Sequence, residues 1–183
     1  MLSISDLTYR VGGRTLLERA SLSIGSGQRV GLVGPNGIGK STLFKLIAGE
    51  LTADGGEINL IKNATVGWVR QDLPEDDTSL IDIVLAADTE RAALMLEAET
   101  VEDPERMGYI YTRLEEIDAY DAPSRAATIL AGLGFDSNAQ LRPISDFSGG
   151  WRMRVALAAT LFRQPNLLML DVPTNHLDFE AMV

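Results

Sequence analysis

The residues from Gly34 to Ser41 match a pattern that binds phosphate groups. Their order, Gly-Pro-Asn-Gly-Ile-Gly-Lys-Ser, fits G-x-x-x-x-G-K-[ST]. The glycines let the backbone wrap closely around a triphosphate, and Lys40 supplies a positive charge to the β- and γ-phosphates. The Ser41 hydroxyl is suited to ligate Mg²⁺. The sequence therefore predicts a nucleoside triphosphate site here, and we call residues 34–42 the phosphate loop.

A second anion site is indicated by Ser148, Gly149 and Gly150, which we call the signature residues. They precede a helical pattern over residues 151–162. The first N–H groups of a helix have no partner within it, and the helix dipole favours negative charge at this end. The start of this helix is therefore expected to contact a phosphate.

The elements that must position these residues follow from local patterns. An apolar, strand-like pattern at residues 29–33 precedes the phosphate loop, and a helical pattern at residues 42–48 follows it, as such a loop requires. Further strand patterns, separated by glycine-rich turns, cover residues 2–9, 21–24, 57–61, 65–70 and 167–170. Asp171 ends the last of them.

From Pro74 onward the character of the chain becomes helical. Helical spacing covers residues 79–87, 89–100, 104–118 and 122–131. Pro104 and Pro123 are suited to first turns. We therefore divide the chain into a β flap with the loop part of the core (1–73), a helical subdomain with a short arm-like insertion (74–145), and a signature helix with the strand and turn after it (146–183).

Four motifs occur in an order that resembles the ATP-binding cassette superfamily. They are GPNGIGKST, the glutamine in Val69-Arg70-Gln71, FSGGW and LLMLDVPTNHLD. The segment PTNHLD and the tryptophan in FSGGWRMR resemble the corresponding segments of the ABC-F group, whose members act mostly on ribosomes. The resemblance covers nearly all of the chain.

The resemblance implies an α/β P-loop cassette with an antiparallel β flap, a RecA-like core and a helical insertion. It implies Mg²⁺ held by Ser41, Gln71 and Asp171, and a D-loop role for Asp178. The signature residues are expected to contact the γ-phosphate of ATP bound to a partner cassette, in the same longer chain or in a dimer. The residues expected to bind ATP in this chain are Tyr9, Gly34, Asn36, Gly37, Gly39, Lys40, Ser41, Thr42 and Gln71.

Two departures from the resembled pattern bear on activity. The residue after Asp171 is Val172, where the family has a glutamate, and valine cannot accept a proton. Loss of a positioned general base removes about 10²- to 10⁴-fold in rate, so ATP binding is expected but efficient hydrolysis is not. The sequence also stops at Val183, before a further strand and a switch histidine. We therefore expect a first cassette that is truncated after the D-loop region, with an incomplete core.

Composition restricts the functional classes. The chain has 183 residues, no cysteine, a net charge of -10 and an isoelectric point of about 4.5. A general basic field for RNA phosphates is excluded, so any ribosome contact must be local. No apolar stretch approaches the roughly 20 residues that span a bilayer, and the N-terminus does not resemble a signal peptide. We expect a cytoplasmic protein.

Several residues have a plainer interpretation. Tyr9 could stack on adenine or simply pack in its strand, and Gln71 could sense the metal or be a polar loop residue. We favour packing or an interface for Trp151, and a solvated acidic surface over an RNA-binding arm for the helical segment. His176 is the only histidine, which argues against a metal site there.

Two other functions remain open. One is the nucleotide-binding subunit of a membrane transporter, and the other is an ATP-binding fragment that does not hydrolyse ATP.

Overall fold

The computed structural model of the chain describes residues 1–69 and 76–171 and divides them into two compact units. The first, here the β unit, comprises Met1–Trp68 with Asn166–Asp171. The second, here the helical unit, comprises Val69 and residues 76–165 among the described residues. In it the signature helix shares its apolar core with the preceding helices, and the expected domain boundaries at 73 and 145 stay a prediction.

The β unit contains two small sheets. Strands β1 (Leu2–Val11), β2 (Arg14–Ile24) and β3 (Gly55–Leu60) form an antiparallel sheet in the order β2-β1-β3. Strands β4 (Val66–Val69) and β5 (Leu167–Leu170) pair in the second sheet. Strand β2 is longer than the sequence indicated, because Val11 and Arg14 pair across a tight glycine turn and extend the hairpin.

A bulge in β1 keeps its apolar residues on one face. Leu2 and Ile4 alternate with exposed serines, but the next buried residue is Leu7, one position out of phase. Asp6 adopts a left-handed φ of 50°, and the pairing register with β2 shifts between Ile4 and Leu7. The extra residue restores the phase and returns Leu7 to the core.

Helix α1 (Lys40–Ile47) joins this core through its carboxyl half. Leu46 and Ile47 cluster with the apolar face of β1 and with Met169 of β5. Phe44 meets Trp68 edge to face, with ring centroids 6.2 Å apart. The opposite end of α1, which carries Lys40, is thereby left at the surface of the β unit.

The expectation of a strand at residues 29–33 is wrong for this structure. These residues make no ladder, and Val33 is 94% exposed. A strand requires a neighbour that shares its N–H and C=O groups. In the described part of the chain, no strand runs beside this segment, so its apolar pattern alone does not produce one.

The helical unit is built from six α-helices among its described residues. They are α2 (Leu80–Ala86), α3 (Thr89–Ala98), α4 (Pro104–Glu116), α5 (Ala122–Gly132), α6 (Ser137–Gln140) and α7 (Gly149–Phe162), with a 3-10 turn at Ile144–Asp146. Helices α2, α5 and α7 surround a common apolar core that includes Phe135 and Ile144. No helix within residues 1–69 and 76–171 is both long and apolar enough to cross a membrane.

Local sequence signals explain where these helices begin. Side chains of Ser79, Asp88, Asp103 and Asp136 accept backbone N–H bonds at the starts of α2, α3, α4 and α6. The predictions for Pro104 and Pro123 are confirmed, since both lie in first turns.

Helices α3 and α4 form a hairpin rich in Asp and Glu, here the acidic hairpin. Two of its arginines bond glutamates of the same hairpin. Arg106 makes two bonds of 2.6 and 2.8 Å to Glu97, and Arg113 bonds Glu90 at 2.6 Å and Glu116 at 2.9 Å. These hydrogen bonds lower the pKa of Glu97 and of Glu90 below their ordinary values. With its guanidinium groups engaged in this way, the hairpin presents a solvated acidic surface.

Candidate nucleotide-binding site

The phosphate loop ends at a helix start that has no side-chain cap. Helix α1 begins at Lys40, and its cap residue Gly39 has φ 110° and ψ 13°, a left-handed conformation that glycine adopts without steric cost. No side chain bonds the first N–H groups of α1, and its first turn contains no acidic residue. Backbone donors and the positive end of the helix dipole are therefore offered to an anion.

The Lys40 side chain folds back across this loop. Its Nζ donates hydrogen bonds to the carbonyl oxygens of Gly34 at 2.8 Å and Pro35 at 3.0 Å. The ammonium group is thus held against the loop backbone by two neutral acceptors. A phosphate oxygen is a stronger, charged acceptor, so an arriving polyphosphate can replace these carbonyls.

The remaining loop residues are accessible to a ligand. Asn36, Gly37 and Ser41 are exposed, and Thr42 is half-buried. The Ser41 hydroxyl and the half-buried Asp171, which directly follows β5, are oxygen donors of the kind that Mg²⁺ prefers.

The described residues hold no group of three or more His, Cys, Asp or Glu side chains that could bind a metal alone. A bound Mg²⁺ therefore has to share its coordination with nucleotide phosphates, which is usual for this ion. The predicted roles of Gln71 and Asp178, the substitution at Val172, and His176 lie outside the described residues.

Tyr9 lies in β1 opposite Leu17 of β2. It is half-buried and packs against the apolar core of the β unit. Packing therefore accounts for part of its surface, and adenine stacking on the remainder stays a prediction.

The signature residues form an uncapped, glycine-rich helix start. Ser148 caps α7 with an extended backbone (φ -67°, ψ 163°), but its hydroxyl bonds no N–H group of the helix. The first turn of α7 has no acidic residue, and its first backbone bond joins Arg152 N–H to the Ser148 carbonyl at 2.9 Å. Ser148 and Gly149 are exposed, so this anion site of the helical unit is open to a ligand from outside.

Trp151 packs beside the signature, as expected. Its ring meets Phe135 at a centroid distance of 5.0 Å, and Arg154 lies over its face at 4.5 Å. The sequence does not indicate these contacts with Phe135 and Arg154. Only the three-dimensional path from α5 to α7 brings Phe135 to this position.

The described geometry defines a class of protein. It has a mixed α/β fold in which a glycine-rich loop leads into an uncapped helix that begins with lysine, together with a separate helical unit in which α7 has an uncapped, glycine-rich start. These are the parts of a P-loop ATP-binding cassette.

Comparison with known proteins agrees with this class. The family described as ABC transporter matches residues 17–175. The solved ATP-binding subunit of an ABC transporter superposes with a TM-score of 0.72 at 21% identity, covering 99% of this chain and 70% of that one. A dimeric bacterial ABC transporter cassette gives 0.67 at 21% identity, covering 99% and 78%.

Curated relatives give the group within the family. "Probable ATP-binding protein YheS" of Haemophilus influenzae is 45% identical over 186 residues, covering 100% of this chain and 29% of its own length. ATP-binding cassette sub-family F member 2 of Bos taurus is 44% identical, covering 98% and 28%, and ABC transporter F family member 4 of Dictyostelium discoideum is 43% identical, covering 100% and 17%. The chain belongs to the ABC transporter family of ATP-binding cassettes and, within it, to the ABC-F group. It spans less than a third of the length of these relatives.

Replacing the loop lysine tests the assignment of the phosphate loop. Lys40→Ala removes the one charged side chain that the loop offers to phosphates, so we expect ATP affinity to fall by about tenfold to a hundredfold. Lys45→Ala, which removes an exposed lysine at the other end of α1, serves as control and should bind ATP as the parent does. Equal affinities of Lys40→Ala and the parent in titration calorimetry would refute the assignment.

Proposed function

We propose that this chain is the ATP-binding cassette of an ABC-F type ATPase and binds Mg²⁺–ATP on the phosphate loop. The observation that most directly supports this proposal is the position of Lys40, whose ammonium group donates hydrogen bonds to two carbonyl oxygens of the loop. Ser41 and Asp171 would hold the Mg²⁺ that bridges the phosphates, together with Gln71. Tyr9 would contact the adenine, and Gly34, Asn36, Gly37, Gly39 and Thr42 complete the loop.

We further propose that the signature residues serve a nucleotide held by a second cassette. Each chain carries one phosphate loop and one signature, so two cassettes arranged head to tail would complete two shared sites. The exposed, uncapped start of α7 supports this role because its donors have no partner from a capping side chain. ATP would then act as the contact that closes the pair, with a D-loop role for Asp178 as the resemblance implies.

Blocking the signature should separate binding from association. Ser148→Arg places a long side chain in the anion site, so we expect the chain to keep its ATP affinity but lose ATP-dependent association with a second copy. Analytical ultracentrifugation with and without Mg²⁺–ATP gives the measurement. Ser137→Arg, at the exposed start of the capped helix α6, should associate as the parent does. If Ser148→Arg associates as strongly as the parent, the shared-site proposal fails.

Hydrolysis is proposed to be slow in this chain. The position after Asp171 is Val172, and no carboxylate is available there to orient and deprotonate the attacking water. Binding needs only the loop and the metal ligands, whereas turnover needs the base as well. ATP would therefore remain bound for long times and keep a cassette pair closed.

Restoring a carboxylate tests this explanation of slow turnover. In a longer form of the protein that also carries the further strand and the switch histidine, Val172→Glu should raise the single-turnover rate of ATP cleavage by about 10²-fold or more when a partner cassette is present. Val172→Gln has nearly the same shape without the basic oxygen and should leave the rate low. The proposal is wrong if the 183-residue parent chain already hydrolyses ATP as fast as the Val172→Glu variant of the longer form.

The partner that the ATP-driven closure acts on is proposed to be the ribosome, in the cytoplasm. This rests on membership of the ABC-F group, as the resemblance implied. The net charge of -10 requires a local contact instead of a general attraction to RNA. The alternative is a transporter subunit, which would contact membrane components.

Sedimentation distinguishes these two partners. At an Mg²⁺–ATP concentration that saturates the parent chain but not Lys40→Ala, the parent should pellet with purified ribosomes through a sucrose cushion, and Lys40→Ala should remain largely in the supernatant because it binds the nucleotide more weakly. Lys45→Ala is again the matched control. Association with vesicles that contain an ABC permease, and none with ribosomes, would support the transporter alternative and overturn the ribosome proposal.

A further inference from the structure

An aromatic cluster lies directly beneath the start of α7. It consists of Phe135, Phe147 and Trp151. The Phe135 ring meets Phe147 at a centroid distance of 5.7 Å and Trp151 at 5.0 Å, both nearly edge to face. Phe135 is 1% exposed and belongs to the main core of the helical unit, whereas Trp151 is 38% exposed. The cluster therefore extends from the core to the surface beside the signature residues.

The two outer rings of this cluster flank the signature in the chain. Phe147 comes immediately before Ser148, and Trp151 comes immediately after Gly150. Gly149 and Gly150 have no side chains that could fix the backbone, and the Ser148 hydroxyl caps nothing. Phe147 and Trp151 both contact Phe135, so the segment between them is held at both ends. Apolar packing around a helix start fixes the path of the chain in a similar way in a hydrophobic staple.

Arginines secure both ends of the cluster. Arg154 lies over the Trp151 ring at 4.5 Å and donates from Nη1 to the Leu133 carbonyl oxygen at 3.3 Å. On the other side, Arg142 lies over the Phe147 ring at 5.0 Å. Arg152 donates from Nε to the Phe147 carbonyl oxygen at 2.9 Å. These contacts connect the first turn of α7 to the end of α5 and to the segment that precedes the signature.

We propose that Trp151 is a positioning residue that holds Ser148–Gly150 in the geometry needed for a partner's γ-phosphate. The indole anchors the first turn of α7 to Phe135, so that the N–H groups of the signature keep a fixed direction before ATP arrives. Preorganised donors bind an anion without first losing conformational freedom. This inference rests on the proposed shared site and assigns a role within it to a residue that does not touch the nucleotide.

The first arm of the test measures order at the start of α7. In Trp151→Ala, the amide protons of residues 152–155, which are the first in α7 with acceptors inside the helix, should exchange with solvent about tenfold faster or more, because the first turn loses its anchor. Tyr109→Ala is a matched control, since Tyr109 is an exposed aromatic ring under Arg106, at 4.9 Å, elsewhere in the same unit. It should leave exchange at α7 unchanged, as should Trp151→Phe, which keeps a ring for Phe135 and Arg154.

The second arm measures function on the same variants. Trp151→Ala should bind ATP with the affinity of the parent but weaken ATP-dependent association with a second copy by about tenfold or more. Trp151→Phe should recover most of this loss. A general loss of folding would lower ATP affinity as well, so the difference between the two measurements identifies positioning.

The possible results separate this inference from the shared-site proposal. If Ser148→Arg blocks association while Trp151→Ala associates as the parent does, the positioning role is overturned and the shared site stands. If Ser148→Arg has no effect, the shared site itself fails. Unchanged amide exchange in Trp151→Ala overturns the positioning role whatever the association assay gives.

Discussion

Helix starts left without side-chain caps are the constraint on which this structure depends. A capping side chain contributes about 1 kcal/mol of stability, and helices α2, α3, α4 and α6 all have one. Helices α1, α5 and α7 have no such bond, although Asp121 and Ser148 are of types that cap well. The start of α5 has the carboxylate of Asp121 beside it and lacks an N–H group at Pro123, so it is not suited to an anion. The starts of α1 and α7 have glycine at or next to the first turn, and we propose that their first N–H groups are kept for a phosphate.

Packing compensates for these open ends. The carboxyl half of α1 is fixed by Leu46 and Ile47 in the core of the β unit, so its amino end can stay exposed without fraying. Helix α7 is held along its length in the core of the helical unit by Val155, Ala158 and Phe162, and its first turn rests on the aromatic cluster. In both units, the burial of apolar side chains therefore compensates for the stability lost at the exposed helix start. The acidic hairpin of α3 and α4 has its own small core and takes no part in this arrangement.

Features that a short, contiguous segment determines could be predicted from the sequence. The phosphate loop, the prolines of α4 and α5 and the membership of the ABC-F group follow from contiguous motifs. The aromatic cluster did not follow, because Phe135 and Trp151 meet only through tertiary packing. The strand expected at residues 29–33 failed for a related reason: apolar alternation indicates a strand, but the strand forms only beside a neighbour. The bulge at Asp6 was also not predicted. Its one sign in the sequence is that Leu7 is out of phase with the alternation of Leu2 and Ile4.

We propose that a nucleotide is shared between the loop of one chain and the signature of another, and mixing two inactive variants tests this sharing most directly. Lys40→Ala keeps an intact signature, and Ser148→Arg keeps an intact loop, so a mixed pair contains one complete shared site and one site damaged on both sides. We expect that neither variant associates alone with Mg²⁺–ATP, whereas their mixture forms pairs that hold a single ATP. If the parent chain pairs with ATP but the mixture of variants does not, the nucleotide is not shared in this way.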